Sequence, residues 1–301
     1  MRIAVAASPQ VAIPTIDALG NSPHELVRVI SQPDRPAGRG KVMTPTPVSQ
    51  WALDNQVELL RPSTTDEIVH AVEGLDCVVT IGYGVLLPEN VLTIPTRGFL
   101  NLHFSLLPRW RGAAPVQRAI EAGDSLTGVT VFQLDAGMDT GPIYTVHRYA
   151  LDADITSDEL LVELGEVGVG AVLEALDLVA QGVRPQPQSN DGATRAHKLS
   201  RDEAHINWNL EAEKVSAKIR AFTSNPGAWS HFRGSVIKVS SPKMSDLSLS
   251  PGEVTFRNKK LFIGTATTAL EIGLITSAGK SAIEASSWAN GARLVDGERC
   301  E

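Results

Sequence analysis

Five short apolar runs rich in β-branched residues punctuate the first third of the chain. They are "RIAVAA" (2–7), "ELVRVIS" (25–31), "VELL" (57–60), "DCVVTIG" (76–82) and "GFLNLHF" (98–104). Each is close to continuously apolar rather than alternating, which is what a strand buried on both faces requires. Helical material separates them. The series therefore predicts an α/β fold around a mostly parallel sheet covered on both faces. In such sheets ligands collect beyond the carboxyl ends of the strands. "TGVTVFQLD" (127–135) and "GPIYTVHRYAL" (141–151) read as a strand pair that closes the sheet. The apolar spacing of residues 157–182 predicts one long helix, with Ser157 as its N-cap.

Composition then shifts. Residues 183–203, "VRPQPQSNDGATRAHKLSRDE", are polar and contain prolines, the pattern of a linker. Beyond them, "NLEAEKVSAKIRAF" reads as a helix, and "SVIKVSS", "GEVTFRN", "KLFIGTA" and "ALEIGLITSA" as short strands. Strands of that length between turn signals predict a small β-barrel or barrel-like module. The expected organisation is a catalytic domain over 1–189, a linker over 190–203 and a C-terminal domain over 204–301.

Charge divides along the same line. The net charge is −7, but residues 190–301 hold 15 Lys and Arg against 12 Asp and Glu, while the first 189 residues hold 12 against 22. A C-terminal part of net +3 tolerates an anionic partner, and an ordinary mildly basic surface gives the same figure. Two cysteines, Cys77 and Cys300, support neither a disulfide framework nor a closed zinc site, and the histidines are scattered, so no metal is expected. No stretch reaches the roughly 20 apolar residues of a membrane span. The first apolar run reads as a strand rather than a leader. A cytoplasmic protein with no membrane partner is the expectation.

The fifth run carries the polar residues that call for an explanation. Residues two apart in a strand share a face, so Asn101 and His103 point together while Leu100, Leu102 and Phe104 point into the core. Spacing alone leaves open whether the pair satisfies backbone groups or reacts. A second polar cluster, "LDAGMDTGP" (134–142), offers Asp135 and Asp139 in a glycine-rich loop, where capping of a turn is the other reading. Asn, His and Asp together suit attack by a neutral amine on an acyl carbon. Asn and His can donate to a developing oxyanion, and Asp can steer a proton.

"NLHFSLLPRWRGAAPVQRAI" followed by "GVTVFQLDAGMDTGPI" resembles the folate-dependent formyltransferase family, and more closely its branch acting on methionyl-tRNA. "SQPDRPAGRGK" (31–41), "IGYGVLLP" (81–88) and "KLSRDEAHINW" (198–208) extend the resemblance over both halves. It implies a Rossmann-like domain followed by an OB-like barrel, and transfer of a formyl group from 10-formyltetrahydrofolate to the α-amine of methionyl initiator tRNA. It puts Asn101, His103 and Asp139 on the family's catalytic positions, Asp139 being preferred to Asp135 because it precedes "TGP". It implies folate contacts from Ser105, Leu106, Leu107 and Pro108, and from Gly82, Tyr83, Gly84 and Leu86, with Leu87 beside them.

The loop 32–47, carrying Arg35, Arg39 and Lys41, matches the insertion that enters the acceptor stem in the tRNA-modifying branch. Lys198, Arg201, Lys214, Lys218 and Arg220 are candidates for further tRNA contact, and a monomer is expected. A carboxylate at Asp139 close to His103 is expected to raise the pKa of the imidazole. Two stretches depart from the family pattern: Ala7-Ser8-Pro9 replaces a Gly-Thr-Pro turn, and "RAFTSNPGAW" (220–229) lacks a Pro-aromatic-Pro step. An amino-sugar N-formyltransferase and a 10-formyltetrahydrofolate hydrolase are the alternative activities.

Overall fold

The computed structural model describes residues 1–37 and 40–301. The chain divides into two compact units, one of residues 1–112, 126–150 and 161–195, the other of 113–125, 151–160 and 196–301.

The first unit is built on a seven-stranded sheet. Its strands are β1 (Arg2–Ala7), β2 (Glu25–Ile30), β5 (Glu58–Leu60), β6 (Cys77–Ile81), β7 (Phe99–His103), β8 (Leu126–Gln133) and β9 (Ile143–Ala150). β3 (Arg35–Ala37) and β4 (Val42–Thr44) form a separate antiparallel hairpin. The sheet order is β9-β8-β7-β6-β1-β2-β5. β5, β2, β1, β6 and β7 run parallel, and β8 and β9 add antiparallel pairs at the edge. All five expected runs are strands, and the expected closing pair is that antiparallel edge. From β1 the chain builds outward through β2 and β5, then returns to place β6 on the other side of β1. The crevice at the carboxyl ends of β1 and β6 is therefore the topological switch point.

β1 is buried from Ile3 to Ala7 and β6 from Cys77 to Ile81, as sandwiching between helices demands. Helices α1 (Ile13–Gly20), α2 (Pro47–Asp54) and α3 (Thr65–Val72) fill the connections, α3 starting from a reciprocal Thr64–Glu67 capping box. α4 (Pro115–Glu121) belongs to the second unit, and most of the long helix α5 (Ser157–Ala180) to the first. Gly168 of α5 explains how that helix reaches the sheet: a β-carbon there would stand 2.6 Å from Leu102 Cδ2. The N-cap expected at Ser157 falls one residue earlier. Thr156 Oγ1 accepts from Glu159 N–H (3.3 Å), and Glu159 Oε2 accepts from Thr156 N–H (2.9 Å), a capping box. Ser157 Oγ instead donates to the Thr223 carbonyl within the second unit.

The second unit holds α6 (Ala212–Ala221) and α7 (Ala285–Ala292). Its antiparallel sheet contains β10 (Trp229–Phe232), β11 (Ser235–Met244), β12 (Val254–Arg257), β13 (Lys260–Ile263) and β14 (Leu270–Ser277), in the order β10-β11-β14-β13-β12, with β15 (Ile283–Glu284) pairing β14. Val215, Ile219 and Phe222 are buried, as are Ile237, Val239, Leu261, Leu270 and Ile275 of the sheet. The sheet is consistent with an OB-like barrel but is not closed strand to strand. Residues 298–301 run between its edges instead: Glu301 exchanges both backbone hydrogen bonds with His231, and Val254 N–H donates to Glu298 O. Among the described residues, no helix is long and apolar enough to cross a membrane.

Candidate active site

Asn101 and His103 lie on one face of β7, and their register partners on the neighbouring strand β8 are Phe132 and Thr130. On the other side Asn101 pairs with Thr80 of β6. Thr80 Oγ1 lies 2.8 Å from Asn101 Oδ1 and 3.0 Å from the Leu100 carbonyl, so its single hydroxyl proton faces two acceptors. Donation to Oδ1 turns the amide nitrogen of Asn101 to the opposite side.

β8 runs antiparallel to β7, so the loop after it starts beside the amino end of β7. The loop nevertheless doubles back to His103. Gly141 makes room for this, because a β-carbon there would sit 1.8 Å from the Gln133 carbonyl. Asp135 caps the bend, accepting from Gly137 N–H (3.0 Å) and Thr140 Oγ1 (2.8 Å). Asp139 is held at φ +54°, in the left-handed region. That conformation costs a non-glycine residue about 1–2 kcal/mol. A hydrogen bond to a charged group contributes about 1.5–3 kcal/mol, enough to offset it. Asp139 Oδ2 accepts one from Gly112 N–H at 2.7 Å.

The same oxygen lies 3.8 Å from His103 Nδ1, beyond direct hydrogen-bond length. His103 Nε2 is 2.9 Å from the Trp110 carbonyl. A carbonyl only accepts, so Nε2 carries the proton and Nδ1 is the basic nitrogen. The imidazole is 5 % exposed and meets Phe132 edge-on. The expected rise in its pKa is reversed. Burial pushes it below the ordinary histidine value, and this outweighs the raising effects of Asp139 and the Trp110 carbonyl. The proximity of the carboxylate is as expected; desolvation decides the sign.

The other expected site residues separate into exposed and buried groups. Gly82 and Gly84 leave β6 exposed with φ of +56° and +73°. A β-carbon on Gly82 would meet the Pro9 ring at 2.7 Å, so β1 and β6 present bare backbone where their loops converge. Leu86 is 85 % exposed, whereas Leu87 and Tyr83 are buried, and burial pushes the Tyr83 phenol up to about 12. Ser105 is fully buried, with its hydroxyl donating to the Arg109 carbonyl (2.6 Å). Leu107 is buried, Leu106 and Pro108 are half-buried, and the Leu107–Pro108 bond is cis.

Of the arm residues, Arg35 and Lys41 are exposed, and Arg39 lies outside the described residues. Gln32, which the sequence reading passed over, joins this arm to the 82–84 loop. Its Nε2 donates to the Tyr83 carbonyl (2.6 Å), and its Oε1 accepts from Arg35 Nη2 (2.6 Å). In the second unit, Lys198 and Arg201 are exposed, and exposed Lys214 pairs with Glu211. Lys218 is engaged by Glu121, and Arg220 by the Ile155 carbonyl. Among the described residues, no three His, Cys, Asp or Glu side chains cluster so as to hold a metal ion.

The family model described as formyl transferase matches residues 1–176, and that of the formyl transferase C-terminal domain matches residues 198–293. Methionyl-tRNA formyltransferases of Salinispora arenicola and Rhodococcus erythropolis are 42% and 43% identical to this chain, over 99% and 98% of both sequences respectively. Among solved structures, HypX from Aquifex aeolicus, crystallised with tetrahydrofolic acid, superposes with a TM-score of 0.71 at 20% identity, covering 96% of this chain and 47% of its own. At that identity the likeness speaks for the fold alone. By its matches over both halves and its full-length relatives, this chain belongs to the formyl transferase family.

Proposed function

We propose that this chain transfers the formyl group of 10-formyltetrahydrofolate to the α-amine of methionyl initiator tRNA, in the cytoplasm. One observation carries the chemistry: a buried imidazole whose basic nitrogen faces a carboxylate at 3.8 Å, on the same strand face as an asparagine whose Oδ1 lies 2.8 Å from the Thr80 hydroxyl. The full-length relatives support the choice of acceptor.

The exposed backbone of Gly82 and Gly84, without side chains, supports contact with a flat pterin ring. Leu86, Leu106, Leu107 and Pro108 would supply apolar contact, with Ser105 setting the turn beneath them. When bound, 10-formyltetrahydrofolate supplies an acyl carbon carried on nitrogen. The Asn101 amide nitrogen is then the donor toward the formyl oxygen, where negative charge develops. An α-amino group with an ordinary pKa of about 7.7–8.0 must lose a proton to attack and another afterwards. His103, neutral at that pH because it is buried, would take a proton from the amine at Nδ1 with Asp139 stabilising the cation, and that proton would pass to the folate nitrogen as its bond to the formyl carbon breaks and tetrahydrofolate leaves. Arg35, Arg39 and Lys41 form the arm for the acceptor stem, where phosphate contacts give affinity and base-edge contacts give selectivity.

The test incubates the purified protein with 10-formyltetrahydrofolate and methionyl initiator tRNA. Formyl-methionyl-tRNA is the expected product. Formate release without transfer would establish hydrolysis instead, and transfer to an amino-sugar nucleotide but not to tRNA would establish the sugar-modifying activity.

A further inference from the structure

Gln188 stands in a polar stretch between the long helix and the second unit, yet its half-buried side chain makes three hydrogen bonds within the first unit. Nε2 donates to the Asp139 carbonyl (3.1 Å) and to the Gly141 carbonyl (3.0 Å), and Oε1 accepts from Arg111 Nε (2.7 Å). One amide thus uses both of its N–H groups on two carbonyls of the same three-residue bend, an arrangement that only an NH2 donor satisfies. Arg111 is itself fixed on its far side, through Nη1 to Asn190 Oδ1 (3.1 Å) and Nη2 to the Ser189 carbonyl (3.2 Å). Its neighbours in the chain hold the reacting pair directly: the Trp110 carbonyl takes His103 Nε2, and Gly112 N–H takes Asp139 Oδ2. The turn 110–112 and Gln188 therefore make one frame, gripping the imidazole, the carboxylate and the backbone that carries the carboxylate. The backbone it grips is the left-handed one at Asp139, which relaxes to negative φ when nothing holds it.

We propose that Gln188, braced by Arg111, is a positioning residue for the reaction: it locks the 139–141 bend so that the Asp139 carboxylate faces His103 Nδ1. The inference rests on the reading of Asp139 as a catalytic group. It assigns to Arg111 the role of orienting the Gln188 amide.

Gln188→Glu separates positioning from folding. The carboxylate keeps an acceptor for Arg111 and gains a charge partner, but it loses both donors to the bend. Displacing a reacting group by about 1 Å costs up to about 10²-fold in rate. The expected result is a fall in kcat of about 10- to 100-fold, with KM for folate and for tRNA within about twofold and Tm close to wild type. Nitrogen-detected NMR of the free protein reads placement independently of turnover. The His103 titration should move to lower pH in Gln188→Met, which fills the space without any donor and adds no charge, because the carboxylate that raises it has moved away. In Gln188→Glu the new carboxylate opposes that shift, so the neutral variant is the one that reads it.

An unchanged kcat with an unchanged His103 titration would overturn the proposal. So would a loss of activity that tracks a loss of Tm in both variants. Asp139→Asn keeps the two readings apart. If it retains full activity, the catalytic reading of Asp139 fails, and the His103 titration of Gln188→Met alone decides whether Gln188 sets the position of Asp139.

Discussion

The carboxyl edge of β7 and the β3–β4 hairpin are both polar surfaces of the same unit, and they are built in opposite ways. At the β7 edge nearly every polar atom is engaged from within: Thr80 holds Asn101, the 110–112 turn holds His103 and Asp139, and Gln188 holds the bend. On the hairpin, Arg35 is exposed with its guanidinium on Gln32, Lys41 is exposed, and even the apolar Val42 and Met43 are 68 % and 59 % exposed. Groups that must meet a reacting atom within a fraction of an ångström are fixed before the substrate arrives. Under the proposed function, groups that meet a large charged partner instead stand exposed, where its phosphates can reach them.

If this contrast is right, substitutions at the two places fail differently. Asn101→Ala has the largest expected effect, a loss of about 10²- to 10³-fold in kcat with folate binding retained, as for removal of one oxyanion donor; single-turnover kinetics with equilibrium folate titration measure both. The proton-handling role of His103 gives the next. Its pKa lies below the ordinary histidine value, so kcat/KM should show a His103 limb below pH 6.5, separate from the rise that ionisation of the substrate α-amine gives at about 7.7–8.0. A His103 titration at or above 6.5, read by NMR of the free protein, would mean that Asp139 outweighs burial. The same sign governs stability. The unfolded imidazole binds protons more readily than the folded one, so His103 should cost the fold stability as the pH falls from 6.5 toward its folded pKa. Urea melts of wild type and His103→Gln across that range measure it.

On the hairpin, Lys41→Ala should weaken tRNA use a few-fold without altering folate binding, and should lower the salt slope of tRNA binding by about one. Equal losses toward both substrates would make the arm part of the folded framework. The smallest effect expected is that of Met43→Ser on stability, within about 0.5 kcal/mol by thermal melting, because this side chain has little burial to lose.

What the sequence made legible follows the same division between local pattern and distant partner. The strands were legible because burial on both faces leaves an unmistakable apolar run, and Asn101 and His103 because a two-residue spacing is a statement about faces. The glycine-rich setting marked Asp135 and Asp139 alike, and the family resemblance alone preferred Asp139, through the "TGP" that follows it. Gln188 was not legible: 49 residues separate it from Asp139, and its segment has the composition of a linker, so nothing local marks it as a donor to the 139–141 bend. The sign of the His103 shift was hidden for a related reason. Sequence names the neighbouring carboxylate, but how much water is excluded depends on Phe132 and the 110–112 turn closing over the ring. The cap at Thr156 rather than Ser157 was a choice between adjacent hydroxyls that only the helix geometry settles. The run 298–301, with no periodicity of its own, gave no hint that it joins two sheet edges.

Thr80 carries the last consequence. A carboxamide has two ends of almost equal size and opposite polarity, so packing alone scarcely distinguishes them. The hydroxyl of Thr80 can break that symmetry, because pointing its one proton at Oδ1 rather than at the Leu100 carbonyl selects which end of Asn101 looks outward. The handedness of the donor is then stored in the direction of a single O–H bond. A Thr80→Val isostere would keep the shape of the strand, erase that record, and leave Asn101 to present an acceptor as readily as a donor.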